Sequence, residues 1–126
     1  MMYDFVHDVL FLSAVGASKH GDAASALHAA LADPARPVPL RGLVFDARLS
    51  TSIAQRTSGQ IRGIAEAIAS NAVALGGRVA LIGESDLTFG LLRIGDAYMQ
   101  CAGLDSRVFR DASDAAEWLA ASSGED

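Results

Sequence analysis

The run from Arg78 to Leu119, RVALIGESDLTFGLLRIGDAYMQCAGLDSRVFRDASDAAEWL, constrains this chain more than any other stretch, because four elements follow one another without a gap. Arg78–Ile82 is almost wholly apolar and of strand length, the pattern of a strand covered on both faces. Ser85 or Asp86 can cap the helix that follows, with Leu91, Ile94 and Tyr98 turned inward and a stop near Gly103. Ser106–Phe109 reads as the last strand, and Asp111 or Ser113 opens a final helix that buries Ala115, Trp118 and Leu119. A strand–helix–strand–helix succession with short links requires a sheet with parallel neighbours and helices laid on it.

The remaining sequence extends that pattern towards the N-terminus. Tyr3–Val6 and Val9–Val15 are apolar segments separated by His7–Asp8, a spacing that predicts a hairpin. Asp22 can cap a helix with Ala24, Leu27, Ala30 and Leu31 on one side, ended by Pro34, which disfavours helical geometry at Asp33. Leu40–Phe45 predicts a buried strand finishing at Asp46, and the polar stretch from Asp46 to Ile61 then reads as a long loop. Thr57 and Gln60 have the form of a capping box, opening a helix whose stripe Ile61, Ile64, Ala65, Ile68, Ala72 and Leu75 ends at Gly76–Gly77. The expected fold is a single α/β domain over residues 1–121, with a mixed, mostly parallel sheet of about five strands, about four helices and a polar tail at 122–126.

A length of 126 residues with 51% hydrophobic and 20% charged residues suits one packed core and leaves no length for a second domain. The net charge of −5 and nine scattered Arg with a single Lys give no basic stripe, which excludes nucleic acid as an expected partner. Cys101 stands alone, so neither a disulfide framework nor a Cys-x-x-Cys site can form, and a reducing cytoplasm fits. Asp4 and Asp8 replace the positive charge of a secretory leader, and Val9–Val15 is too short to span a membrane.

Taken together, RVALIGESDLTFGLLRIGDAYMQ, RVFRDASDAAEWL and, further back, LRGLVFDARLS resemble the bacterial SpoIIAA-like proteins. These form a branch of the STAS/SEC14-like group related to anti-sigma-factor antagonists. The matching Phe89, Gly90, Trp118 and Leu119 imply the fold and no reaction. True antagonists carry an Asp-Ser-Ser-Gly motif at the start of the second long helix, where a partner kinase phosphorylates the serine. Here the corresponding stretch is Arg56-Thr57-Ser58-Gly59, with the acid replaced, so the resemblance offers Ser58 and Thr57 as phosphosites. A hydroxyl at a helix N-terminus suits added negative charge, and the same hydroxyls serve equally as ordinary caps.

No constellation for catalysis emerges from the residues themselves. Asp46, ending a buried strand, occupies the place of a receiver phosphoacceptor, yet the acidic pair after the first strand and the late lysine are missing, and pairing with Arg48 is the commoner fate. His7, His20 and His28 have no metal-ligand spacing. Gly83-Glu84-Ser85-Asp86-Leu87 departs from a nucleophile elbow at its last position, and Cys101 reads as a small hydrophobe in a helix. Neither an enzyme nor a cofactor or metal is expected. What remains is a strand-end cavity edged by Asp46, Arg48, Ser50, Thr51, Ser52 and Ser85, able to take a small ligand or protein partner, unless those hydroxyls merely satisfy loop backbone.

The function expected is a non-enzymatic regulatory or protein-binding module acting through the Asp46–Ser58 loop. The SEC14-like side of the resemblance implies the alternative, a carrier of a small hydrophobic, lipid-like ligand. The exposed hairpin also offers an edge for a homodimer.

Overall fold

The computed structural model describes residues 1–19 and 21–122. It contains five strands, β1 (Met2–Val6), β2 (Val9–Gly16), β3 (Gly42–Ser50), β4 (Arg78–Ile82) and β5 (Asp105–Phe109). Four helices, α1 (Asp22–Ala32), α2 (Ser58–Ala69), α3 (Asp86–Cys101) and α4 (Ala112–Ser122), alternate with them, and a 3₁₀ turn covers Ile53–Gln55. The sheet runs β1-β2-β3-β4-β5 in chain order, with β1 antiparallel to β2 and every other neighbour parallel. The expected α/β class, strand number and helix number are all present. His20 and residues 123–126 of the expected tail lie outside the described residues.

The hairpin forms because His7 and Asp8 both accept positive φ, 51° and 65°, which lets two residues reverse the chain with the twist that paired strands need. Tyr3 from this hairpin donates its hydroxyl to Asp33 at 2.8 Å, tying β1 to the end of α1. Helix α1 begins differently from expectation. Gly21 is its N-cap and makes no side-chain bond, while the Asp22 carboxylate accepts from the Lys19 amide at 2.7 Å inside the first turn. At the other end Asp33 is extended, as the following proline demands.

Residues alternate along β2, β3 and β4 between two cores. Leu10, Leu12, Leu43, Phe45, Val79 and Leu81 meet α1, α2 and α3 on the first face. Val9, Val44, Ala80 and Ile82 meet Ala115 and Leu119 of α4 on the second. Each parallel crossover therefore moves one strand onward with its helix on the same side, until α4 crosses beneath. A sheet wound in one direction has no interior point where strand order reverses, the place where open α/β sheets splay a ligand crevice.

Two boundaries and one helix face differ from the sequence reading, each for a packing reason. Strand β3 continues past Asp46 to Ser50, because Leu49 and Ser50 pair with Val15 and Gly16 beyond an irregularity in the β2–β3 ladder. Helix α2 stops at Ala69, and Ala72 and Leu75 lie in successive turns ending at Gly76, whose φ of 83° brings it against the Leu40–Arg41 backbone. Helix α3 is rotated relative to expectation. It buries Thr88, Leu92, Gly95 and Met99, while Leu91 and Tyr98 are half-buried and Ile94 exposed. Gly95 accounts for the rotation, since Ile61 of α2 lies 3.4 Å from where its Cβ would stand, so the helices pack closest where α3 is smallest. Cys101, expected to pack as a small hydrophobe, is exposed. Trp118 is half-buried, packed against the α4-side core and stacked under the Arg78 guanidinium at 3.9 Å.

Candidate functional site

The residues expected to edge the strand-end cavity, together with the two expected phosphosites, fall into three groups, with Ser85 apart from them. The first is an ion pair. Arg48 donates to Asp46 through Nε at 3.0 Å, through Nη2 at 2.7 Å and through its backbone amide at 3.0 Å. Burial of the Asp46 carboxyl works against ionisation, but these hydrogen bonds and the adjacent guanidinium charge outweigh it and hold the group below the usual carboxylate range. The same contact raises Arg48, assisted by the charges of Glu84 and Asp111 and opposed by partial burial. A carboxylate committed to three donors anchors the end of β3 and is poorly placed to act on anything else.

The second group is a knot of hydroxyls on two loops. Ser52 Oγ accepts from the Ser18 amide at 3.0 Å and lies 3.1 Å from Ser18 Oγ. Ser50 Oγ accepts from the amides of Ser52 and Ile53 at 3.3 and 3.1 Å. Arg56 closes the knot, donating from Nη2 to the Ser18 carbonyl at 2.6 Å. Thr51 is exposed and contributes only its amide, bonded to the Gly16 carbonyl at 2.9 Å. The adjoining cavity, between Lys19, Arg56 and Phe45, holds about 10 Å³, room for no more than a water molecule. These hydroxyls satisfy backbone and side-chain groups that the loops would otherwise leave unpaired. Ser85, far along the chain, caps α3 by accepting from the Thr88 amide at 3.1 Å.

The third group lies at the start of α2. Thr57 and Gln60 complete the expected capping box, with Gln60 N to Thr57 Oγ1 at 3.1 Å and Thr57 N to Gln60 Oε1 at 3.0 Å. That leaves Ser58, the first helical residue, exposed, and its hydroxyl has no hydrogen-bond partner among the described residues. The preceding Arg56 is held by the knot, so the approach to Ser58 is fixed by the fold.

Along α3 runs a surface of which the sequence reading assigned Leu91, Ile94 and Tyr98 to the core. Leu87, Leu91, Ile94 and Tyr98 recur at helical spacing on one side of α3, about a quarter-turn from its buried side. Leu87 is 59% and Ile94 36% exposed. Across from them, a groove of about 250 Å³ is lined by Gly59, Arg62, Gly63 and Glu66 of α2 and by Tyr98. Tyr98 donates to Glu66 at 3.4 Å, and the Arg62 guanidinium sits 5.9 Å above its ring. Two glycines one turn apart beside an apolar stripe leave the helix backbone open to close approach. The Gly59–Gly63 spacing was the signal in the sequence that could have found this surface.

Between these helices and the sheet, an apolar cavity lined by Phe45, Ile61, Leu81, Leu92 and Met99 amounts to about 20 Å³. Among the described residues no three His, Cys, Asp or Glu side chains are grouped to hold a metal, and no helix is long and apolar enough to cross a membrane. No family model, curated protein or solved structure matches the chain.

Proposed function

We propose that the chain is a regulatory, protein-binding module of the STAS/SpoIIAA-like kind, a cytoplasmic bacterial domain that engages a protein partner through the start of α2 and the α2–α3 surface. One observation carries the reading. The uncommitted Ser58 hydroxyl stands at the first turn of α2, next in sequence to Gly59, which lines the groove against Tyr98, and Leu87 and Ile94 of α3 are left to solvent. Exposed apolar side chains grouped around a groove mark contact sites for other macromolecules. A phosphate on Ser58 would be stabilised by the first-turn amides and the helix dipole, and it would set a double negative charge beside an apolar contact surface. That combination makes phosphorylation a switch that releases a partner.

The interior supports surface action over carriage. Between α2, α3 and the sheet the space is about 20 Å³, against the roughly 300 Å³ or more that a drug-sized or lipid-like ligand requires. The apolar cleft of that size among the described residues, about 400 Å³ lined by Val6, Val9, Phe11 and Leu119, lies on the other face between the hairpin and α4. Asp46, Arg48, Ser50, Thr51, Ser52 and Ser85 enter this reading as the scaffold that fixes the α2 entrance and the ends of β3 and β4, with Ser58 and Thr57 at the functional tip.

Affinity capture tests the proposal with four baits: the unaltered protein, Ser58→Asp, Ile94→Lys and Val73→Glu, the last at a residue 98% exposed and away from the groove. One partner should be retained by the unaltered and Val73→Glu proteins and lost from the other two. Equal capture by all four baits would remove the surface assignment.

A further inference from the structure

The two open edges of the sheet are five-residue strands, Met2–Val6 and Asp105–Phe109. In β1 the hairpin closes at Val6↔Val9, so Met2, Asp4 and Val6 turn their backbone groups to β2 while Tyr3 and Phe5 turn theirs outward. In β5 the Asp105 amide bonds to Gly77 and the Phe109 carbonyl to Gly83, so Ser106 and Val108 face outward. Each edge has one side chain placed over it. Asp4 Oδ1 accepts from the Phe5 amide at 2.8 Å, and Gln100 Nε2 donates to the Ser106 carbonyl at 3.2 Å.

Each strand also carries a single charge at its centre, and the signs are opposite: Asp4 on β1 and Arg107 on β5. Neither makes an ion pair among the described residues. Pairing two β1 edges along their full length would set Asp4 against Asp4, and two β5 edges would set Arg107 against Arg107, which are destabilising cross-strand pairs. Pairing β1 with the β5 of another copy, antiparallel and over all five residues, gives Met2↔Phe109, Tyr3↔Val108, Asp4↔Arg107, Phe5↔Ser106 and Val6↔Asp105. Opposite charges then face each other. Tyr3 and Phe5 also keep to the helix-covered face with Ser106 and Val108, because the outward residues of both strands lie on that side. The Phe5 amide and Ser106 carbonyl, the two groups now covered within one chain, become each other's partners.

From this register we propose that a second copy of this chain docks β5 onto β1, continuing the sheet from copy to copy, with Asp4 and Arg107 choosing the partner edge and Asp4 and Gln100 covering the edges until it arrives. The contact is heterologous, so it does not close into a dimer, and a third copy can add in the same way. The spacing allows it. Helix α3 over β4–β5 and α1 of the next copy over β1–β2 would lie two strand intervals apart, about 10 Å, an ordinary helix packing distance. The surface is independent of the α2–α3 groove, so the failure of either reading leaves the other standing.

Sedimentation velocity over about a hundredfold range of concentration tests it, with each variant's fold checked by circular dichroism. The unaltered protein should sediment faster as concentration rises. Asp4→Arg and Arg107→Asp should each stay monomeric, and their equimolar mixture should associate again, since every β1–β5 contact between the two variants joins opposite charges. Gln100→Ala should shift association to concentrations about fivefold lower, the equivalent of one net hydrogen bond. An unaltered protein that stays monomeric throughout, a single variant that associates unchanged, or a mixture that stays monomeric would each overturn the proposal.

Discussion

Helices α1, α2 and α3 cover one face of the sheet across its width, whereas α4 alone covers the other, lying mainly over β3, β4 and β5 and reaching β2 at Val9. The first core gathers twenty buried residues and the second six. Met2, Val15 and Leu49 are left exposed, and Val6 is only partly screened at the edge of a cleft that it shares with Ala116 and Leu119 of α4. The contrast separates two tasks. The thick side holds the fold together and presents the α2–α3 surface as a rigid platform, while the thin side leaves strand positions that packing does not dictate. A single chemistry placed on each face sharpens this. Leu43→Ala, at a fully buried β3 site in the first core, should cost about 4 kcal/mol, and Leu119→Ala, 8% exposed on α4 in the second, about 2 kcal/mol. Denaturant midpoints measure both, and equal losses would erase the distinction between the faces.

A smaller effect probes how the platform is held. Thr57→Ala removes the capping box of α2 and should lower stability by about 1 kcal/mol, without moving the helices that α3 packs against. Adding Gln60→Ala should then cost little more, because the two bonds act as one unit. A double variant losing twice the single value would show that the bonds work separately. Asp111→Ala, which removes the cap accepting from the Asp114 amide at 2.8 Å on the thin side, offers the matching measurement for α4. Its loss should also lie near 1 kcal/mol, since a cap acts within its own first turn whatever covers the sheet.

The same contrast explains which features were legible in the sequence. Strands β2, β4 and the first half of β3 are buried on both faces, so their apolar runs announce them. The second half of β3 does not, because Arg48 and Leu49 stand exposed on the thin side and only the ladder to Val15 and Gly16 extends the strand. On the thick side the helix caps were readable from Thr57, Gln60 and Ser85, each of which acts through neighbours in sequence. The face of α3 was not. It carries two apolar stripes, and the one that packs is chosen by Gly95 and the closeness of Ile61, a contact with no trace in the hydrophobic period. The candidate site suffered most, since Asp46, Ser52 and Ser85 are near in sequence logic yet are drawn off by Arg48, Ser18 and Thr88 respectively.

The smallest effect expected is on the thin side and depends on pH. Asp46 has a folded-state pKa below its unfolded value, through Arg48. Its contribution is therefore complete above the unfolded pKa, about 4, and is lost as pH falls through the lower folded value. The pair is partly open to solvent, with side-chain exposures of 20% for Asp46 and 34% for Arg48, so screening reduces the contribution to about 0.5 kcal/mol. Asp46→Asn should accordingly be less stable than the unaltered protein near neutral pH by that amount, and the difference should shrink towards zero in strong acid. High salt should shrink it at neutral pH as well, whereas salt should leave the Leu43→Ala loss unchanged. A difference that persists in acid would mean that Asp46 acts by shape or hydrogen bonding alone, and the thin side would then be held by packing just as the thick side is.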